Sequence, residues 1–256
     1  MSHCEKGNNK KTLLLAAVHI PINTPPYSGE TEPVMPIELK NLTKEYKRGE
    51  TVFKAVDGVN LVVNKGDFIN IIGRSGSGKS TLLNLIAGLL TPTSGSVEVE
   101  NQDIAAWDDK AVSAYRNTKI GHIPQGQSTL GNLTVLDNVR LPYYLQKRNG
   151  SSQERALSLL KQTGIAHLAD AYPRHLSGGE LKRVAIARAL VNKPDYIIAD
   201  EPTGDLDVQT TTEIMKLFRQ IAQNKTAVMM VTHELDVLEY GSRTLIMDSG
   251  VLSERT

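Results

Sequence analysis

The rhythm of hydrophobic positions changes repeatedly along the chain, and each change marks an element. Ile37 to Leu42, Val59 to Val63 and Phe68 to Ile72 are short apolar-rich runs bounded by Gly, Asn or Asp, which predicts three strands. From Lys79 to Leu90 the apolar residues Leu82, Leu83, Leu85, Ile86, Leu89 and Leu90 cover nearly every side, as in a helix packed into a sheet core. Thr91, Pro92 and Gly95 end that helix, and Val97 to Val99 resumes extended structure. Ser151 followed by Glu154 predicts a capped helix running to Thr163, with Gly164 as its stop. A second buried helix follows Gly179, carrying Leu181, Val184, Ala185, Ile186 and Leu190. Tyr196 to Ala199 is wholly apolar, the mark of a strand covered on both faces of a parallel sheet. A helix (Val208 to Gln223), a strand (Thr226 to Val231), a short helix (Glu234 to Glu239) and a hairpin around Ser249-Gly250 complete the series. The alternation predicts an α/β fold with a helical subdomain inserted at about 126–175.

With 256 residues, the chain suits one large domain or a domain with a subdomain. Hydrophobic residues at 40%, charged residues at 22% and a mean hydropathy of -0.25 fit a globular protein rather than a disordered or fibrous one. The balance of 29 basic against 28 acidic residues gives no electrostatic reason to expect nucleic acid as a partner. A single Cys excludes an internal disulfide and a multi-cysteine zinc site. Lys10-Lys11 followed by Leu13 to Ile20 begins like a signal peptide, but the run is short and no small-residue cleavage site follows. With the Pro-rich stretch Pro21 to Pro36 reading as an extended lead-in, residues 1–35 are expected to be a disordered extension, and Met35 an alternative first residue. No apolar run approaches the ~18 to 20 residues that span a bilayer, so no direct membrane insertion is expected and a membrane role would pass through a partner.

Gly73-Arg74-Ser75-Gly76-Ser77-Gly78-Lys79-Ser80 fits the phosphate-loop pattern G-x-x-x-x-G-K-[ST] in full. Average amino-acid usage produces such a string in roughly one chain of this length in a hundred, and here it also sits between a predicted strand and a predicted helix. In that setting, successive backbone N–H groups and the positive helix N-terminus converge on phosphate. Lys79 would reach the β- and γ-phosphates, and the Ser80 hydroxyl would ligate Mg²⁺. Asp200-Glu201 then narrows the chemistry. Following Tyr196 to Ala199, both carboxylates would emerge at the sheet edge that carries the phosphate loop. Asp200 is the natural Mg²⁺ partner, and Glu201 is placed to polarise water attacking a γ-phosphate. Leu176-Ser177-Gly178-Gly179-Glu180 is a second anion-binding turn before a helix. If the two loops cannot reach one nucleotide within one molecule, a head-to-tail pair would let each complete the other's site.

From about Pro36 to Thr256 the sequence resembles the nucleotide-binding subunit of an ATP-binding cassette (ABC) transporter. Within that superfamily it is most similar to the lipoprotein-releasing and macrolide-export type ATPases, on Lys44-Glu45-Tyr46, on Asn138-Val139-Arg140-Leu141-Pro142 and on Thr203-Gly204-Asp205-Leu206-Asp207. The resemblance implies an ABC ATPase domain over 36–256: a P-loop NTPase core with mixed sheet and an inserted α-helical subdomain. It implies that Tyr46 stacks on adenine and that Gly73 through Thr81 cradles the nucleotide. It makes Gln125 the sensor of Mg²⁺ and attacking water, and His233 the switch that contacts the γ-phosphate. Asp207 would belong to the loop crossing a dimer interface, while Ser177, Gly178 and Gly179 clasp the partner's ATP. Catalysis would thus rest on Glu201, His233, Lys79 and Gln125, and the metal on Ser80, Gln125 and Asp200. The sequence departs from the family pattern at Glu180, where Gln is commonest, at His122 and Pro124, and in residues 1–35.

The implied activity is ATP hydrolysis by two copies of the chain, dimerised around two Mg-ATP on the cytoplasmic face of the plasma membrane. They would drive a separate membrane permease, in export or extraction. An alternative is the same ATPase in a membrane-anchored mechanotransmission complex that moves no solute. Ser177 follows Lys79 by only 98 residues, which leaves no room for the coiled coil of DNA-repair relatives. A small-molecule kinase would have no use for Leu176 to Glu180.

Overall fold

The computed structural model describes residues 36–145 and 152–255, so the expected extension and the helix-capping Ser151 lie outside the described residues. A long antiparallel hairpin comes first. β1 (Ile37–Arg48) and β2 (Thr51–Val63) pair from Ile37↔Val63 out to Arg48↔Thr51, with Gly49 at φ 63 in the turn. There follow β3 (Phe68–Ile72), α1 (Lys79–Ile86), β4 (Ser94–Val99), β5 (Gln102–Asp103), α2 (Asp109–Thr118) and β6 (Ile120–Ile123). The helical part contributes α3 (Val135–Leu145) and α4 (Ser152–Gln162), and α5 (Gly178–Leu190) leads back to β7 (Tyr196–Asp200). α6 (Val208–Gln223), β8 (Ala227–Val231), β9 (Arg243–Asp248) and β10 (Val251–Glu254) close the chain.

Two sheets result: four antiparallel strands in the order β2-β1-β4-β5, and six in the order β10-β9-β3-β8-β7-β6. In the second, β9, β3, β8, β7 and β6 run parallel, with β10 turned back on β9. Both faces of this sheet are covered, and the side chains divide with period two. Ile69, Ile71, Tyr196, Ile198, Met229 and Val231 join α1 and the first sheet in one core; Ile197, Ala199, Val228 and Met230 pack with α5 and α6 in another. α1 therefore lies between two sheets, which accounts for its apolar residues on nearly every side. A third core joins Val135, Val139, Leu159 and Leu160 of α3 and α4 to Val184 and Ala187 of α5. α5 thus ties the helical part to the sheet.

Several elements differ from the sequence expectations. α1 stops at Ile86 rather than Leu90, because Gly88 turns left-handed (φ 65) and the N–H groups of Leu89 and Leu90 both bond to the Asn84 carbonyl. Glu234 to Glu239 forms only a single 3₁₀ turn, at Leu238–Tyr240. The hairpin of β1 and β2 runs well beyond Leu42 and starts well before Val59, and α2 with β6 is a helix and strand that the apolar pattern does not announce.

Candidate functional site

β3 is buried along most of its length, and the chain leaves it at Gly73 in a conformation (φ 156) that brings the backbone hard against β9. A Cβ at Gly73 would lie 2.2 Å from the Met247 carbonyl oxygen, and one at Gly78 (φ 108) only 1.9 Å from that of Ala55. No side chain fits at either place. Gly78 N-caps α1 without a side-chain bond, so the first-turn N–H groups of the helix keep no cap from their own chain. Lys79 is only 8% exposed, and its ammonium donates to the carbonyls of Gly73 and Arg74, both at 2.8 Å. A buried ammonium held by neutral carbonyls still lacks a counter-charge, and an anion in the loop supplies one. The Ser77 hydroxyl oxygen is buried without a hydrogen-bond partner in the same loop.

Opposite the loop, β7 ends and Glu201 follows in a left-handed conformation (φ 49), its N–H bonded to the Val231 carbonyl of β8 at 2.9 Å. This fixes the carboxylate between two elements. Its Oε2 accepts from Gln125 Nε2 at 2.8 Å, and its Oε1 lies 3.3 Å from His233 Nδ1. Lys182 of α5 donates to the Glu201 carbonyl at 3.3 Å. The carboxylate is thus gripped on both oxygens yet a quarter exposed, a geometry in which it can orient water or accept its proton.

The phosphate loop and Glu201 share one cleft of about 430 Å³, whose walls include Tyr46, Gly73, Ser75, Gly76, Gly78, Lys79, Ser80, Thr81, Gln125, Glu201 and His233. All eleven are expected cofactor-binding or catalytic positions, and Phe53 and Ala55 line the same cleft. Phe53 is a residue that sequence reading missed. The hairpin register sets it opposite Tyr46, and the rings stack at 5.7 Å with 29° between planes. Ser80, Gln125 and Asp200 offer hydroxyl, amide and carboxylate oxygens, the hard donors Mg²⁺ takes, and the Gln125 bond to Glu201 uses its nitrogen, leaving the oxygen. Among the described residues no three His, Cys, Asp or Glu side chains gather as a metal cage. A Mg²⁺ held by one carboxylate and substrate phosphates needs none. Asp200 stands at the end of β7, next to the cleft's Glu201 but outside its walls.

The second anion-binding turn lies elsewhere. Gly178 lines a separate depression of about 520 Å³ with Gln125, Lys182, Glu201 and Leu206, and Ser177 and Gly179 are not among the walls of the phosphate-loop cleft. Ser177 N-caps α5 in a full capping box with Glu180. Gly179 packs so closely on α6 that a Cβ would meet Thr210 Cγ2 at 2.7 Å. Thr210 is itself held by Asp207, which caps α6 through the Thr210 N–H at 3.0 Å and its hydroxyl at 2.6 Å. Those bonds hold the Asp207 carboxyl below its usual range, the Thr210 hydroxyl first and its N–H second. Asp207 therefore braces the Ser177-Gly178-Gly179 turn, the signature turn, within its own chain.

A family model for ABC transporters matches residues 56–204. The macrolide export ATP-binding/permease protein MacB of Chlorobaculum tepidum is 39% identical over 216 residues, 84% of this chain and 33% of that protein. The chain thus spans about a third of the length of the macrolide-export relatives it matches. The ABC transporter ATP-binding protein MJ0796 of Methanocaldococcus jannaschii is 42% identical over 220 residues, 84% of this chain and 94% of that protein. A solved dimer of the MJ0796 cassette in a post-hydrolysis state, bound to ADP and Pi, superposes with a TM-score of 0.80 at 39% identity, covering 86% of this chain and 99% of that one. With its phosphate loop, paired carboxylates and capped signature turn on the matching fold, the chain belongs to the ABC transporter family as one of its ATP-binding cassettes.

Proposed function

We propose that two copies of this chain close around two Mg-ATP and hydrolyse them to drive a membrane permease in export or extraction. The observation that carries this reading is the division of the machinery. Lys79 and Glu201 share one cleft, while Ser177 and Gly179 stand outside it, so a second copy is the natural source of the completing turn. The dimeric state of the MJ0796 cassette supports the pairing. The word permease in the name of the macrolide-export relative, of which this chain matches a third, supports a membrane partner. Among the described residues no helix is long and apolar enough to cross a membrane. In this reading the pair works at the cytoplasmic face through that partner.

In this reading Tyr46 stacks on the adenine, with Phe53 behind it, and the Gly73 to Thr81 backbone holds the phosphates. Mg²⁺, held by Ser80, Gln125 and Asp200, would neutralise charge on the β- and γ-phosphate oxygens. Lys79 adds its ammonium to the same charge. Glu201, steadied by Gln125 and His233, accepts a hydrogen bond from water and aligns it with the γ-phosphorus; as the P–O bond forms, the bond to the β-phosphate oxygen breaks. His233, which lines the cleft, would contact the γ-phosphoryl group as it passes to water and ADP leaves. Ser177 of each copy binds only while the triphosphate is intact, so closure follows nucleotide occupancy.

Glu201→Gln with Mg-ATP tests the reading by sedimentation and phosphate release. It should give a stable dimer with turnover reduced at least ~10²-fold, the scale of losing a transition-state group. Undiminished turnover would remove Glu201 from this role. Mixing Ser177→Ala with Lys79→Ala should leave at most one intact composite site per heterodimer, and independent wild-type-like behaviour would refute the cross-chain site.

A further inference from the structure

We infer that Glu180 is a positioning residue that turns the Ser177 hydroxyl inward, away from the partner's triphosphate, and so sets how much ATP the pair needs to close. The inference rests on the two-copy reading above.

Both donors of Ser177 end on one carboxylate oxygen: its N–H reaches Glu180 Oε2 at 2.7 Å and its hydroxyl reaches the same atom at 2.8 Å. The Glu180 N–H returns a longer bond to the Ser177 hydroxyl oxygen at 3.4 Å. An ionised carboxylate only accepts, so the hydroxyl proton has to point at Glu180 while this bond stands. These bonds, the backbone N–H first, hold the Glu180 carboxyl below its usual range, which keeps it ionised at neutral pH. Among the described residues no ion pair neutralises it. The nearby Arg183 guanidinium is committed instead to Glu213 and to the Thr163 carbonyl. The turn that has to grip a polyanion therefore carries a negative charge against its own hydroxyl, with His167 and Arg183 acting on it only from beyond ion-pair distance.

To donate to phosphate, Ser177 has to leave Glu180, and the phosphate has to approach a like charge. A glutamine at this position keeps the cap, since its amide oxygen still accepts the Ser177 N–H. It removes the charge, and its NH₂ can donate to the hydroxyl oxygen, which frees the proton to point outward.

Four variants decide the point, each carrying Glu201→Gln: that variant alone, with Glu180→Gln, with Ser177→Ala, and with both. Dimer fraction is read by sedimentation against Mg-ATP concentration, and nucleotide-free melting is followed alongside. Adding Glu180→Gln should lower the ATP needed for half-closure about tenfold, the scale of one hydrogen bond made to a charged group. The melting midpoint should stay within about 2 °C, because the cap survives. In the Ser177→Ala background the same change should have no such effect. An unchanged ATP requirement, or a gain that persists without the Ser177 hydroxyl, overturns the proposal. If Glu201→Gln alone stays single at saturating Mg-ATP, the two-copy reading itself falls, and this inference with it.

Discussion

Gly78→Ala and Gly76→Ala add the same methyl group to the same loop, and the structure assigns them different costs. Gly76 is left-handed (φ 78) but open, with nothing within 4 Å of an added Cβ. Its substitution incurs mainly the left-handed penalty for an L residue, about 1 to 2 kcal/mol. At Gly78 the backbone is left-handed as well (φ 108), and there the new Cβ would sit 1.9 Å from the Ala55 carbonyl oxygen. Real Cβ atoms do not approach within 3.0 Å, so the loop or β2 has to yield by about 1 Å. Backbone strain and overpacking together come to about 3 to 5 kcal/mol. Gly78 also precedes Lys79 and Ser80, so the displacement falls on the groups that face phosphate. Titration with a fluorescent ATP analogue should show Gly78→Ala weakened by up to ~10² to 5 × 10³-fold and Gly76→Ala by up to ~5 to 30-fold, with melting curves recorded to separate binding from folding. Equal binding by the two variants would refute the close approach between β2 and the phosphate loop.

The stacked pair Tyr46 and Phe53 should act as one unit: Tyr46→Ala should raise the KM for ATP about tenfold, Phe53→Ala less, and the double variant less than the product of the two, as steady-state kinetics will show. Leu160 is fully buried in the core shared by α3, α4 and α5, so Leu160→Ala should cost about 2 to 5 kcal/mol in urea unfolding, and a smaller loss would argue that this core is loosely packed. Burial holds the His122 imidazole below its ordinary pKa of 6.5, with Asp200 opposing the shift and Arg188 reinforcing it. The unfolded chain then binds a proton that the folded chain resists, so stability is full above about pH 6.5 and falls as the pH drops through the window below it. Melting of wild type and His122→Phe from pH 7.5 to 5.5 should show a shallower decline in the variant; parallel curves would remove His122 as a source.

How much of this could be read beforehand depended on whether an element's identity lies in its own residues or in its neighbours. β3, the phosphate loop, β7 and α6 were legible because their patterns are local: a glycine-rich string between strand and helix, an apolar run ending in two acids, a sixteen-residue amphipathic repeat. α2 buries only Tyr115 and owes its start to the Asp108 cap, so it has no apolar stripe to find. β6 has four residues, including Gly121 and His122, and becomes a strand by pairing with β7. The outer half of the β1–β2 hairpin is largely exposed and lacks alternation.

The same division runs through the site. Residues whose chemistry is carried by type and spacing, such as Lys79, Ser80, Glu201 and Ser177, could be named from the chain alone. Phe53 could not, because its place beside Tyr46 comes from strand register, and neither could the brace of Asp207 on Thr210 behind Gly179, which comes from the packing of α5 on α6. That brace bears on the proposed motor. Gly179 leaves no room for a Cβ against Thr210, so the Ser177 to Gly179 turn lies close on the start of α6. Gln125 and Glu201 line both the nucleotide cleft and the depression beside Gly178, so a change at the γ-phosphate reaches that depression through two side chains already in contact. On the two-copy reading, then, hydrolysis in one cleft is felt at the turn that the same chain presents to its partner's nucleotide. If this contact carries coupling between the two sites, Gln125→Ala should lower the cooperativity of ATP hydrolysis in steady-state kinetics, and an unchanged Hill coefficient would remove Gln125 from that route.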